Sequence, residues 1–170
     1  LLYNVAFILV NMVIGIAIAI LITEVKNIKL KKLYQSAILL PFLMSMVILS
    51  YIVYALLSAE NGLVNNSILP LFHMDPIQWY QKPKYWPAIL IIANCWKGVG
   101  YGCLIYIASL IGIDPSFYEA ARLDGASKWQ EITKITLPSL VPTIITLLLL
   151  SIGRIFYSDF GLFYQVPRNS

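Results

Sequence analysis

Charge is what this sequence has least of. Lysine, arginine, aspartate and glutamate make up 12% of its 170 residues, against 59% hydrophobic, and soluble domains carry about twice that charged share. Several stretches approach or exceed the ~18 nearly uncharged residues that a helix needs to cross a bilayer, so the chain is read as integral membrane. Histidine and cysteine are also scarce. His73 is the sole histidine, and Cys95 and Cys103 lie in one apolar segment, about two helical turns apart. That supply excludes the usual zinc sites and leaves the cysteines as small buried residues, so no metal is expected. No G-x-x-x-x-G-K-[ST] loop is present, and the chain cannot hold ATP itself. Within the apolar segments the ionisable groups of note are Lys97 and Arg154. Without an acid or histidine beside them, acid–base catalysis has no candidates and no catalytic residue is assigned.

The net charge of +4 does not point to nucleic acid, because the lysines cluster beside one apolar segment. Asn65-Asn66-Ser67 matches a glycosylation acceptor, but the pattern is too short and common to carry weight. The chain opens at Leu1 inside an apolar run and stops at Ser170 without a natural ending. It reads as a window from a longer protein, with spans expected beyond both ends.

What is present is four apolar segments, at about 1–23, 36–57, 87–111 and 137–156. Helices are the expected form, since lipid offers no partner to unpaired backbone groups. The connection "EVKNIKLKKLYQ" (24–35) holds Lys26, Lys29, Lys31 and Lys32 and is expected in the cytoplasm. Alternation then puts the 58–86 loop outside and the 114–138 stretch inside. The outer loop closes with Trp79, Tyr80, Tyr85 and Trp86, suited to the headgroup level.

In the third segment, "CWKGVGYG" (95–102) echoes a potassium-channel filter, but Gly98 stands where the filter has threonine and Lys97 would repel a cation. Gly98 and Gly102 share a helix face at the small-xxx-small spacing and are expected to admit a close helix. Asn94, Lys97 and Tyr101 form a polar stripe beside them. Lys97 falls near mid-bilayer, which implies either a wet cavity or packing against carbonyls or a carboxylate. In the fourth segment Thr143, Ser151, Arg154 and Ser158 share a broad face. Arg154 lies about 20 Å beyond Pro138, placed to snorkel or to line an exit gate.

Between these segments sits "EAARLDGASKWQEITKITLP" (119–138). Asp114 can cap a helix that has Pro115 in its first turn and ends at Gly125. Ser127 and Gln130 form a capping box for a second short helix, "KWQEITKI", and Pro138 is expected to end it and open the next span. The reading is a helix-turn-helix docking element on the cytoplasmic face.

This stretch closely resembles the EAA loop, E-A-A-x-x-x-G followed by I-x-L-P, of binding-protein-dependent ABC importer permeases of the MetI-like type. Glu119, Ala120, Ala121, Gly125, Ile135, Leu137 and Pro138 carry the match, with Ala126 beside the turn glycine. "NCWKGVGYGCLIYIASL" and "GRIFYSDFGLFYQVPRNS" look more narrowly like the LplB-type polysaccharide or oligosaccharide permeases. The resemblance implies an all-α permease core in the bacterial cytoplasmic membrane, crossing it several times. Its partners would be ABC ATPase subunits docked on the loop through Glu119, a second and homologous permease subunit, an extracellular solute-binding lipoprotein and membrane lipid; no cofactor is implied. Asn94, Lys97, Tyr101 and Arg154 are then candidates for the substrate pathway. Import of an amino acid, phosphate or glycerol phosphate is the alternative, and an ion channel subunit a distant one.

Overall fold

The computed structural model describes residues 1–157 and 159–167, and every regular element among them is helical. α1 (Leu2–Thr23) is an unbroken apolar helix, followed by α2 (Ile28–Leu43) and α3 (Met46–Leu57). After a loop holding the single turn α4 (Leu69–Leu71) comes the long α5 (Trp86–Ile111). α6 (Pro115–Leu123), α7 (Lys128–Glu131) and α8 (Leu137–Ile152) complete the set. Three helical runs are long and apolar enough to cross a membrane: Leu2–Thr23, Pro83–Ile111 and Lys128–Ile152. Many of their apolar side chains, such as Leu9, Val13, Leu21, Leu149 and Leu150, point outward, which lipid accommodates as readily as a protein core.

The segment expected as one span at 36–57 is broken instead. α2 and α3 meet at an angle of 99°. Pro41 has no N–H for the preceding turn, Met44 is extended, and the Ser45 hydroxyl accepts the Ile48 N–H at 3.3 Å to start α3 afresh. The second short helix also differs from expectation. α7 runs through a π-helical stretch, Ile132–Thr136, directly into α8. The Leu137 N–H reaches back to Ile132 O, and this widened turn lets Pro138 sit in the run without ending it.

α5 is the central post, packed chiefly against α1 and α2. Toward the lysine-rich end Ile16, Ala19, Cys103, Tyr106 and Leu140 form one core; toward the other end Phe7, Leu49, Leu90, Leu162 and Val166 form a second. The close approach expected of Gly98 and Gly102 is redistributed. A Cβ on Gly98 would meet Asn11 Oδ1 of α1 at 3.0 Å, whereas one on Gly102 would meet nothing within 4 Å. The tightest contact belongs to Gly100, where a Cβ would collide with the Ile38 carbonyl of α2. The glycine spacing was legible, but its partner faces were not, because α2 approaches from the side opposite to the one inferred.

The long loop folds around a buried amide. Asn65 Nδ2 donates to the carbonyls of Ser58, Ala59 and Ile77, and its Oδ1 accepts from Ile77 N–H and Trp79 Nε1. The residue of the formal glycosylation triplet is thus a structural hub, only 2% exposed.

Gly100→Ala is expected to destabilise the purified protein by about 1–3 kcal/mol through overpacking, with Gly102→Ala close to neutral. Thermal unfolding in detergent checks the contrast; equal melting temperatures for the two variants would contradict this packing.

Candidate functional site

At the lysine-rich end, α6 and α7 form a compact module. Asp114 Oδ1 accepts the Ser116 N–H at 2.9 Å, a bond that holds its carboxyl below the usual carboxylate range. Pro115 follows in the first turn. The helix closes with Ala126 N–H on Ala121 O and Gly125 N–H on Arg122 O, a Schellman turn that puts Gly125 at φ +78°. A side chain there would be strained. Ser127 then starts α7 with the expected reciprocal box: its N–H donates to Gln130 Oε1 at 2.7 Å and its Oγ accepts the Gln130 N–H at 3.4 Å.

A charge cluster that the sequence reading did not single out locks these pieces. Arg122 Nε donates to Glu131 Oε1 at 2.8 Å, and Lys128 Nζ lies 3.0 Å from Glu131 Oε2. Lys128 also reaches Glu24 at the end of α1, at 3.1 Å. The Glu131 side chain is 4% exposed, and a carboxylate so enclosed needs cationic partners. Its hydrogen bond raises the Arg122 guanidinium above its ordinary value. Tyr118 Oη and Thr136 Oγ1 share a further bond of 3.0 Å. The signal was available, since Lys128 and Glu131 are three apart on one helix face and Arg122 is the lone cation of α6.

The residues carried over from the family motif fall on this module. Glu119 and Ala120 are exposed, Ala121 and Ala126 half-buried, Gly125 exposed at the turn, Ile135 and Leu137 half-buried and Pro138 exposed. Around them Phe117, Leu123 and Trp129 are also exposed, Leu123 to 89%.

A second feature lies between α1, α5 and the end of α8: a cavity of about 900 Å³, apolar over most of its lining but carrying a cluster of polar side chains. Asn94, Tyr101 and Arg154 all line it, as does Ser151. Arg154 stands just beyond α8, which stops at Ile152. Thr143 instead bonds Ser109 of α5 at 2.8 Å, and Ser158 lies outside the described residues. Two asparagines of α1 join the lining. Asn11 Nδ2 donates to Asn94 Oδ1 at 2.9 Å and to Phe7 O at 2.8 Å. Asn4 Nδ2 donates to the carbonyls of Ile155 and Tyr157, the latter at 2.8 Å. Asn11 Oδ1 is buried with no hydrogen-bond partner, an acceptor open to water or a ligand hydroxyl. Asn4 and Asn11 sit seven apart in an otherwise apolar helix, and that spacing was the available clue.

Lys97 is not brought to this group. Its Nζ donates to the carbonyls of Phe42 (2.9 Å) and Met44 at the open end of α2, and it stands 5.8 Å from the Phe42 ring centroid. Tyr101 stacks on that same ring, with centroids 5.2 Å apart. Of the two settings the sequence left open, the ammonium occupies the one among carbonyls, where it opposes the negative end of a helix.

Lys97→Met is therefore expected to destabilise the protein by about 1.5–3 kcal/mol, the order for hydrogen bonds to a charged group, measured by thermal unfolding; unchanged stability would remove the capping role. Glu131→Gln is expected to speed tryptic cleavage at Arg122 and Lys128 in membranes by removing the carboxylate both cations bond; cleavage at the wild-type rate would dissolve the lock.

Residues 11–158 match the family described as the binding-protein-dependent transport system inner membrane component. The polygalacturonan/rhamnogalacturonan transport system permease protein YteP of Bacillus subtilis is 34% identical over 82% of this chain and 43% of its own length. The lactose transport system permease protein LacF of Rhizobium radiobacter is 33% identical over 84% of this chain and 49% of its own. The chain spans about half the length of these curated relatives. A crystal structure of a bacterial ABC transporter involved in the import of the acidic polysaccharide alginate superposes with a TM-score of 0.86 at 34% identity, covering 96% of this chain and 59% of that one. A second structure of an alginate transporter, in complex with its alginate pentasaccharide-bound periplasmic protein, gives the same score. The chain belongs to the family of inner membrane components of binding-protein-dependent transport systems, an all-helical, multi-pass membrane fold.

Proposed function

We propose that this chain is part of a permease subunit of an ABC importer that takes up oligosaccharides or polysaccharide fragments. The observation that carries the reading is the continuity of Lys128–Ile152. One helical run bears the charge-locked module at one end and leads to the cavity between α1, α5 and α8 at the other. The module then lies in the cytoplasm, where the lysines of the 24–35 connection retain it, and the 58–86 loop faces outward.

In this reading the exposed face of α6 docks in a separate ATPase subunit. Glu119 supplies an ionic contact, Ala120 and Ala121 keep the surface low, and Leu123 and Trp129 fill apolar recesses of the partner. Gly125 holds the turn, while Ile135, Leu137 and Pro138 join the module to the span. ATP-driven movement of the partner displaces the module, and the Glu131 cluster passes that displacement to α8 and, through Glu24, to α1. A second, homologous permease subunit and an external solute-binding protein complete the assembly. Asn94, Tyr101 and Arg154, with Asn4 and Asn11, offer amide, hydroxyl and guanidinium groups to a hydroxyl-rich solute. Lys97 acts one step back, by holding the bend of α2 and the Phe42 ring on which Tyr101 rests. The sugar and polysaccharide transport named for its relatives supports carbohydrate over other solutes.

Glu119→Lys is expected to abolish saccharide uptake and co-purification with the ATPase while leaving membrane insertion intact. Asn94→Leu should keep the ATPase but reduce uptake at least about tenfold, a loss of roughly 1.4 kcal/mol. Normal uptake by Glu119→Lys would sink the coupling role of this residue.

A further inference from the structure

A second cavity, of about 890 Å³, opens at the aromatic end of the bundle, away from the one described above. Its walls come from three places. One face of α3 contributes Tyr51 and Tyr54, the loop contributes Glu60, Gln78 and Gln81, and the π-helical turn Gly161–Gln165 contributes Tyr164 and Gln165. The loop and the turn are each fixed in place, and the turn shares its core with Leu49 and Val53 of α3. Asn65 bonds the Ser58, Ala59 and Ile77 carbonyls, which fixes the residues next to Glu60 and Gln78. Leu162 and Val166 are fully buried in the outer core, which anchors the turn on both sides of Tyr164 and Gln165. The site is thus built, and its volume falls in the range of small-molecule pockets.

The lining has a definite chemistry. Tyr51, Tyr54 and Tyr164 present rings that are 58%, 43% and 54% exposed, flat apolar surfaces with polar rims. The three glutamines each offer a donor and an acceptor. Gln165 Oε1 is buried without a hydrogen-bond partner, an arrangement that is costly unless a ligand or water donates to it. Rings for apolar sugar faces beside paired donors and acceptors for hydroxyls suit a saccharide. An apolar helix or lipid chain would leave the glutamines and Glu60 unmatched. Glu60 is the one carboxylate among the residues of this lining, and no lysine or arginine stands with it there. A uronate would meet like charge; a neutral sugar would find an acceptor for its hydroxyls.

We propose that this outer cavity is a binding site for neutral saccharide units, distinct from the cavity between α1, α5 and α8. The proposal rests on the carbohydrate-importer reading and adds to it a first station on the external side, selective by the charge of Glu60.

The test uses the full-length transporter with its ATPase and partner permease in lipid nanodiscs, with galactotriose and trigalacturonate as probes. Saturation-transfer NMR reads binding, and reconstituted uptake is measured in parallel. An Asn94→Leu background weakens the inner cavity so that outer binding is read separately. In that background galactotriose is expected to bind, and Tyr51→Leu or Gln165→Leu is expected to weaken it at least about tenfold. Glu60→Gln is expected to admit trigalacturonate. Each variant must keep wild-type ATPase co-purification, which separates a lost site from a lost fold; Gln165→Leu removes an unpaired acceptor and is expected to fold at least as well as wild type. If uptake persists but these variants bind galactotriose as the background does, the outer site is overturned and the importer reading stands. If the wild-type complex neither imports nor binds any saccharide, the importer reading falls and the outer site with it. Inaccessibility of Tyr51→Cys to a membrane-impermeant maleimide in the intact complex would also overturn the site.

Discussion

Within a membrane, a carbonyl or N–H that leaves its helix has no water to turn to, and this constraint accounts for three of the polar side chains in and beside the apolar segments, Lys97, Asn4 and Thr136. Where α2 stops at Leu43, the Phe42 and Met44 carbonyls receive the Lys97 ammonium. Where α8 stops at Ile152, the Ile155 and Tyr157 carbonyls receive the Asn4 amide. Where Pro138 interrupts the ladder, a π-helical stretch re-forms it and the Thr136 hydroxyl takes the Glu131 carbonyl at 3.3 Å. Each departure from regular helix has a side chain or an altered turn assigned to it, and two of the three side chains come from a neighbouring helix. The irregular points therefore tie the bundle together.

The buried carboxylate of Glu131 belongs to the same logic with the sign reversed. A charge enclosed to this extent destabilises the fold if either cation leaves. The Arg122–Glu131 pair ties α6 to α7, the Lys128–Glu131 pair lies within α7, and Lys128 carries the link on to Glu24 at the end of α1. The module is thereby tied to two spans, to α1 through Glu24 and to α8 through the helical run it begins.

Much of this was legible from the sequence, and the failures share a cause. The four apolar segments, the Asp114 and Ser127 caps and the Gly125 turn rest on local chemistry: propensity, spacing and capping within a few residues. The bend at Met44–Ser45 and the Lys97 contact depend on which helix lies opposite, which no local pattern encodes. Pro41 followed four residues on by Ser45 was a visible hint of the break, but a proline in a membrane helix is often tolerated without one. Gly98, Gly100 and Gly102 show the same limit, since spacing identifies candidate close contacts without identifying the partner. Asn4 and Asn11 could have been flagged as polar positions in α1, whereas Asn65 could not, because its five hydrogen bonds go to two separate stretches of the loop region, 58–59 and 77–79.

The ties at the two ends of α1 set how the bundle can move. At the lysine-rich end Glu24 holds Lys128, where the long helical run begins; at the far end Asn4 holds the turn just past Ile152, where that run ends. α1 and the Lys128–Ile152 run are thus linked at both extremities, and α5 packs against both, through the Tyr106 and Leu140 core. Opening the cavity by separating α1 from α8 would break ionic contacts at one end and strand backbone carbonyls in lipid at the other. The α2–α3 elbow is different. It is bent by 99°, and the Phe42 and Met44 carbonyls at the break are held by the Lys97 ammonium of α5. The Phe42 ring lies between the Lys97 ammonium and the Tyr101 ring, so the elbow and the cavity wall that Tyr101 lines share one aromatic contact.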